Sequence, residues 1–373
     1  MPYDIAVVGS GVIGAAVAWQ CALRGLRTVL VDRYCAPHDH GSSHGQTRLL
    51  RVAYAEGEKY VPLARRAVEL WHEIGHTVGE PVFHQTGVVY VGQEYSDLIQ
   101  GARRSAAAHD VALHDIDPQD RARRIPELRT PPSWSVLIED DGGYLRAEAS
   151  VQAMLALGER TTRLTSLTGD VRALAPEAQH VVVTLADGQV LRARQAVVAA
   201  SAWTGDLLPS IGKLLEVRRQ LMHWFEGPPA RFGTHTSFRP FAVHDQSRGT
   251  FYYGFPRLDD VGVKVADHYD GLTLPHAEQR RREVQPQEVQ PTAEFVRQWV
   301  PGLGRHLSSR SCLYTCTASE DFVLDEVPGW ERVYACTGFS GHGFKFAPAI
   351  GEAVAQRLAG EAPTQDTSAF RQQ

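Results

Sequence analysis

With 373 residues, 43% of them hydrophobic and 22% charged, the chain has ordinary globular composition and enough length for two domains with separate cores. A net charge of -5 gives no electrostatic case for nucleic acid or an anionic membrane as partner, which leaves small-molecule chemistry as the expectation. Five scattered cysteines, no apolar run near the roughly 18 residues of a membrane span, and no basic-then-apolar leader predict a soluble cytoplasmic protein without structural disulfides.

Residues 4–8 read as a short buried strand, Gly9-Ser10-Gly11-Val12-Ile13-Gly14 follows, and Ile13, Ala16, Val17 and Cys21 recur at helical spacing until Gly25. A second strand over 28–31 ends in Asp32. Placed between two strands, this is a dinucleotide fingerprint. Gly9 allows the tight turn, Gly11 lets the backbone approach a pyrophosphate, Gly14 brings helix against sheet, and Asp32 stands where a carboxylate accepts hydrogen bonds from ribose hydroxyls. The fingerprint alone does not separate FAD from NAD. The next stretch, PHDHGSSHGQTRLLRVAY over 37–54, holds His38, His40 and His44, but glycine and serine dominate the spacing and no further ligand follows at a helical interval. A polar loop against a cofactor is therefore expected in place of a metal site, with Ser42, Ser43, His44 and Thr47 as its candidate contacts. Arg48 and Arg51 share a face if the segment turns helically, and Leu49, Leu50 and Val52 draw it inward, toward an anion.

Residues 58–75 carry Leu63, Ala67, Leu70 and Trp71 at helical spacing, and VFHQTGVVYVG then alternates as a strand. A helix is expected over 147–160. HVVVTLADGQVLRARQAVV reads as a hairpin turning at Asp187-Gly188 and leading into a parallel-type buried strand over 196–200, where the nucleotide-binding half resumes after an insertion. Residues 216–275 are mostly β, with TFYYGFP and VGVKVADHY as paired strands. Arg280-Arg281-Arg282 is expected on a solvated helix face, and a helix is expected to start at Pro291. At the end, RVYACTGFSGHGFKFAPAIGEAVAQRLAG is a strand, a glycine-rich loop and a helix. Gly338, Gly341, Gly343 and Phe344 lie in that second glycine-rich turn. A cofactor gripped at both ends is implied, and FAD is long enough to require it. The fold class is α/β (α+β overall): a Rossmann-like FAD-binding domain, discontinuous over 1–80, 146–215 and 311–373, plus an antiparallel-sheet substrate domain from 81–145 and 216–310.

GSGVIGAA, PHDHGSSHGQTRLLRVAYAEGEKYVPL, YYGFP, GVKVADH, SCLYT and TGFSGHGFKFAP, in this order, resemble the monomeric sarcosine oxidase and N-methyltryptophan oxidase family of amine-oxidising flavoenzymes. The resemblance spans residue 3 to about residue 370. It implies FAD held covalently by a thioether at Cys312, and oxidation of a secondary amino acid to an imine with O2 reduced to hydrogen peroxide. It also implies that Arg51 and Lys345 bind the substrate carboxylate, that Lys264 activates oxygen, and that Arg48, Tyr253, His268 and Tyr314 line the site. A monomer is the family expectation. Without the resemblance, Lys264 alternates with Val263 and Val265 and reads as a surface lysine, His268 as a loop histidine, and Tyr253 and Tyr314 as β-core aromatics. Ser43, Gln46, Val52 and Ser201 depart from the family pattern, which bears on substrate more than on reaction. An oxidase of a cyclic amino or imino acid resembling proline or pipecolate is the alternative. A dehydrogenase passing electrons to a partner, and a nucleotide-binding sensor without turnover, are the further readings to be separated.

Cys312 and Cys316 stand four positions apart in RSCLYTC. If the segment is extended, at about 3.3 Å per residue the thiols are roughly 13 Å apart on one side of the strand, beyond the reach of a disulfide, which needs Cα atoms within about 7 Å. Cys316 has no assigned chemistry.

Overall fold

The computed structural model describes residues 2–371 and builds them around two large sheets and a small one. The first sheet has eight strands. Its centre is parallel: Leu164–Thr168, Thr28–Asp32, Tyr3–Val8, Val190–Val198 and Val333–Thr337 lie side by side in that order. The strand Val190–Val198 changes partner along its length. Its first half pairs antiparallel with Val181–Leu185 and its last three residues pair parallel with Val333–Thr337. Its burial alternates at first and then becomes continuous, as a strand passing from a half-solvated edge into a doubly covered centre must.

The helix Val12–Leu23 packs under this sheet against the helices Ala147–Arg160 and Ala347–Leu358. Gly14 is obligatory there, since a Cβ on it would stand 1.7 Å from the Gly9 carbonyl oxygen. Glycine in the fingerprint is thus a packing requirement before it is a ligand requirement.

The second sheet has nine strands, running from Leu272–Leu274 through Glu216–Phe225, Val263–Asp267, Thr250–Gly254, Phe241–Asp245, Val88–Gly92 and Ser135–Glu139 to Leu113–Asp115, with His306–Cys316 also paired along Glu216–Phe225. It is antiparallel except that Phe241–Asp245 runs parallel to Val88–Gly92. The expected pairing of 250–254 with 263–267 is present. The strand bearing Cys312 belongs to this sheet, although the sequence division assigns residues 311–373 to the first. The long ladder with Glu216–Phe225 decides this, and no local sequence signal reports a partner about ninety residues away. A three-stranded sheet of Thr47–Leu50, Gly143–Arg146 and Phe83–His84 lies apart from both.

Three other local expectations are corrected. The helix at Pro291 begins earlier, at Pro286, because the Glu288 side chain reaches back to accept from Gln285 N at 2.7 Å and Pro286 suits the first turn; Pro291 lies inside. Arg280–Arg282 form an extended link and not a helix face. Arg281 meets Glu288 at 2.7 Å, Arg282 pairs with Asp39, and Arg280 is half-buried with Nη1 unpartnered. Arg48 lies on a strand and Arg51 just beyond it, so no helical face joins them. Among the described residues no helix is long and apolar enough to cross a membrane.

Candidate active site

A cleft of about 420 Å³ runs from the fingerprint turn to the last glycine-rich loop. Gly9, Gly11 and Asp32 line one end, and Gly341, Gly343 and Phe344 the other, with Ser42, Ser43, Arg48 and Tyr314 along it. At the ribose end, Asp32 Oδ2 accepts from Ser10 N at 2.6 Å and Ser10 Oγ at 2.9 Å, while Oδ1 accepts from Tyr34 N at 2.9 Å. Burial alone would raise this carboxyl, but the nearby His38, 3.5 Å away, and the hydrogen bonds from Ser10 and Tyr34 outweigh it and hold it below the ordinary value. His38 therefore serves Asp32 and His40 stacks on Tyr34 at 3.6 Å; among the described residues no cluster of metal ligands forms.

The loop over 41–47 closes on the helix N-terminus, where Ser43 Oγ accepts from Val12 N at 3.0 Å. Ser42 Oγ donates to Leu313 O at 2.5 Å and stands 3.2 Å from Ser201 Oγ. Ser201 has φ 48, in the left-handed region that a non-glycine residue seldom adopts. Thr47 Oγ1 and both ring nitrogens of His44 are buried without a partner. Orphaned polar atoms beside a cleft gripped by glycine turns at both ends fit FAD. Gly14 and Gly338 do not line the cleft; Gly338 has φ +66 and its Cβ position is taken by Thr317.

A smaller cavity of about 60 Å³ adjoins the cleft, and Arg48, Tyr314, Gly341 and Phe344 line both. One wall is a single sheet face, and strand register says why. Trp224 lies opposite Lys264, Tyr253 opposite Ala266, Gln220 opposite Cys312 and Arg218 opposite Tyr314. Cross-strand partners and alternate residues share a face, so Lys264, Tyr253, Cys312 and Tyr314 all point the same way. Val263 and Val265 take the other face, where Phe295, Val296 and Trp299 of the helix Pro286–Trp299 cover them. The surface reading of Lys264 fails for that reason: both faces of its strand are buried, and Lys264 itself is 2% exposed.

The opposite wall carries the remaining cations. Arg51, 4% exposed, lies over the rings of Tyr54 at 5.0 Å, Phe251 at 5.9 Å and Tyr90 at 6.0 Å, and pairs with Glu56 at 2.5 Å through Nη2. Its Nε and Nη1 have no acceptor. Lys345 Nζ donates to His342 O at 2.7 Å and to Tyr54 Oη at 3.2 Å. Burial first, and then the neighbouring Arg51, bring Lys345 down to about 7 against the opposing pull of Glu56. Lys264 donates to Gly45 O at 2.8 Å and Thr47 O at 2.7 Å; burial and then Arg48 push it well below its ordinary value. Arg48 spans the carbonyls of Ser42, His44 and Thr47 and lies over Phe344 at 5.5 Å. His268 Nδ1 is 3.2 Å from Tyr314 Oη, and burial takes the imidazole to about 4. Tyr253 is pushed up to about 12 and Cys312 is raised, both chiefly by burial; for Cys312 this outweighs four nearby cations that favour the thiolate.

Apart from Gly14, Gly338 and Lys264, the residues expected at the site thus gather along one continuous cavity and the loop beside it; Lys264 shares the sheet face of Tyr253 and Cys312 but lines neither cavity, its Nζ being held by the Gly45 and Thr47 carbonyls. Sequence reasoning missed Tyr54, Glu56, Met222, Phe251 and His342. Tyr54 and Glu56 sit in the AYAEGEKYVPL run, where an acid five residues beyond a buried arginine was the available signal.

The cleft, the fingerprint and the two-sheet architecture define a flavin-dependent oxidoreductase. Residues 4–357 match the family model of FAD dependent oxidoreductases, DAO, and the chain belongs to that family. It is 34% identical to N-methyl-L-tryptophan oxidase of Shigella dysenteriae over 376 aligned positions, covering 100% of this chain and 99% of the relative, and 34% identical to that of Escherichia coli K12 with the same coverage. Among solved structures it is similar to NikD, an unusual amino acid oxidase essential for nikkomycin biosynthesis, with TM-score 0.86, 22% identity and coverage of 100% and 98%. L-proline dehydrogenase from P. horikoshii has TM-score 0.82, 17% identity and coverage of 99% and 96%. These last likenesses concern the fold.

Proposed function

We propose that the chain oxidises the secondary amine of an N-methyl α-amino acid, with FAD bound in the cleft and attached through Cys312. The observation that carries this is Arg51: a buried guanidinium with Nε and Nη1 lacking acceptors, beside Lys345, in a cavity that adjoins the cofactor cleft. A buried fork of unpaired donors is a site for a carboxylate, and Glu56 occupies only Nη2.

FAD, when bound, supplies a two-electron acceptor. The amine gives up two electrons and two protons to become an imine, and O2 takes up both as hydrogen peroxide. Water then adds to the imine and the C–N bond breaks, releasing formaldehyde where an N-methyl was oxidised. The chain's own residues orient and desolvate. Arg51 and Lys345 fix the carboxylate, and neutral His268 adds no further charge and keeps Nδ1 against Tyr314 Oη. Lys264, on the sheet wall, is assigned to oxygen reduction. The enzyme is read as a monomer, as the sequence resemblance implies, and as cytoplasmic, as the sequence composition suggests.

The test is a peroxide assay over sarcosine, N-methyl-L-tryptophan, L-proline and L-pipecolate. Turnover of the N-methyl substrates supports the reading; turnover of only the cyclic ones, or of none, overturns it. Flavin mass retained on denatured protein tests the covalent part.

A further inference from the structure

The turn that holds Lys264 is itself held. Gly45 has φ 95 and Gln46, not a glycine, has φ 68, so two successive residues are left-handed and their N–H groups point to one side. Successive N–H groups of a turn aimed at one point form a concavity for an anion, and here both donate to the same carboxylate. The anion is the carboxylate of Glu148, in the first turn of the helix Ala147–Arg160. Its Oε1 accepts from Gly45 N at 2.7 Å and Gln46 N at 3.2 Å, and its Oε2 from Gln46 N at 3.0 Å. The turn is tied twice more. Ala147 N donates to Gln46 O at 2.8 Å, and Gln46 Oε1 accepts from Trp224 Nε1 at 2.7 Å, Trp224 being the cross-strand partner of Lys264. The Gly45 and Thr47 carbonyls that emerge from this turn are the two acceptors of Lys264 Nζ.

We infer that Glu148 is a positioning residue for oxygen reduction: by fixing the Gly45–Gln46 backbone it sets where the Lys264 nitrogen stands. The inference rests on the role given to Lys264 above. Neither Glu148 nor Lys264 lines a cavity; Lys264 shares the sheet face of Tyr253 and Cys312, which do, whereas the contacts of the Glu148 carboxylate are to the turn, and its effect passes through that turn. Without the carboxylate, two N–H groups lose their acceptor and a left-handed non-glycine residue loses what holds it, so the turn relaxes and Lys264 with it.

Glu148→Ala and the near-isosteric Glu148→Gln holoenzymes, with Lys264→Met beside them, are compared in anaerobic stopped-flow reduction by an N-methyl amino acid and in separate reoxidation by O2. Reduction is expected to stay near the wild-type rate. Reoxidation of Glu148→Ala is expected to slow by roughly tenfold to a hundredfold, the scale on which misplacing a reacting group by about 1 Å acts. Glu148→Gln, which keeps one acceptor oxygen, falls between and serves if the alanine variant does not fold. A second readout is independent of turnover: trace acetylation with peptide mapping follows the reactivity of Lys264 against pH, and both variants are expected to alter it. Equal slowing of both half-reactions together with unchanged Lys264 labelling assigns Glu148 to helix capping alone and overturns the inference. Wild-type reoxidation in Lys264→Met would instead remove the role of Lys264, and unaltered labelling in the Glu148 variants would remove Glu148's hold on it.

Discussion

Replacing Arg51 with Met keeps a side chain of comparable reach and removes the fork whose Nε and Nη1 are unpartnered. Each charge-assisted hydrogen bond in such a place contributes about 1.5–3 kcal/mol, so a two-point grip on a carboxylate amounts to roughly 3–6 kcal/mol. At about 1.4 kcal/mol per decade, kcat/KM for an N-methyl amino acid falls by some two to four orders of magnitude, on the order of 10²–10⁴. Arg51→Met also strands Glu56, whose carboxyl lies at about 2: burial would raise it, and Arg51 first, then His342 and Lys345, bring it down. Arg51→Met/Glu56→Gln is therefore the control. The decisive assay crosses enzyme with substrate, measuring kcat/KM for N-methyl-L-tryptophan and for N-methyltryptamine, which lacks the carboxylate. Wild-type enzyme discriminates strongly between them, and Arg51→Met largely loses the discrimination while handling the amine as before. If Arg51→Met lowers both by the same factor, Arg51 holds the fold and not the carboxylate, and the reasoning fails.

Lys345 stands at about 7 in the free pocket, while Glu56 at about 2 and His268 at about 4 do not titrate near it. A bound carboxylate raises the lysine, so binding of indole-3-acetate is strongest below pH 7 and weakens as pH rises above it, with proton uptake seen by calorimetry in buffers of different ionisation enthalpy; binding without proton uptake at pH 8 refutes this. Cys312→Ser abolishes flavin retained after denaturation and Cys316→Ser does not, which mass spectrometry of the unfolded proteins decides. Glu139, wholly buried, accepts from Val52 N at 2.7 Å, Ala53 N at 3.1 Å and Tyr90 Oη. Glu139→Ala leaves three buried donors unpaired and lowers stability by roughly 3–5 kcal/mol in urea unfolding, and a loss under about 1 kcal/mol contradicts the account.

The elements with local signatures were legible in the sequence. The fingerprint, the hairpin at Asp187-Gly188 and the last strand-loop-helix each announce themselves by glycine placement and periodicity, because their geometry is set within about twenty residues. What stayed hidden is long-range pairing. Lys264 looks solvent-facing until Trp224 is known to lie beside it and the helix Pro286–Trp299 is known to cover the far face. Cys312 looks attached to the final nucleotide-binding segment until its strand is seen to run along Glu216–Phe225. Glu148 and Glu139 carry no signal at all, since each acts by accepting backbone N–H groups about ninety to a hundred residues away, and a lone glutamate on a helix or strand reads as surface.

Placing Arg48, Arg51 and Lys345 around one small cavity, with Lys264 buried behind the turn that leads into Arg48 and Glu56 the one ion-pair partner lining that cavity among the described residues, raises the question of how the free protein tolerates them. The two types of cation answer it differently. Guanidinium cannot give up its proton, so Arg51 keeps Glu56 and three aromatic faces, and Arg48 keeps three backbone carbonyls. Lys345 relieves the strain by giving up part of its charge, falling to about 7, and burial pushes Lys264 in the same direction. A pocket built this way carries less positive charge when empty than Arg48, Arg51, Lys345 and Glu56 would at their ordinary values, and gains more as anions arrive, taking up a proton at Lys345 when a carboxylate binds. Two arginines with a lysine able to give up its proton, and not three arginines, therefore let one cavity exclude water, survive empty, and still present a cationic seat at the moment the amino acid fills it.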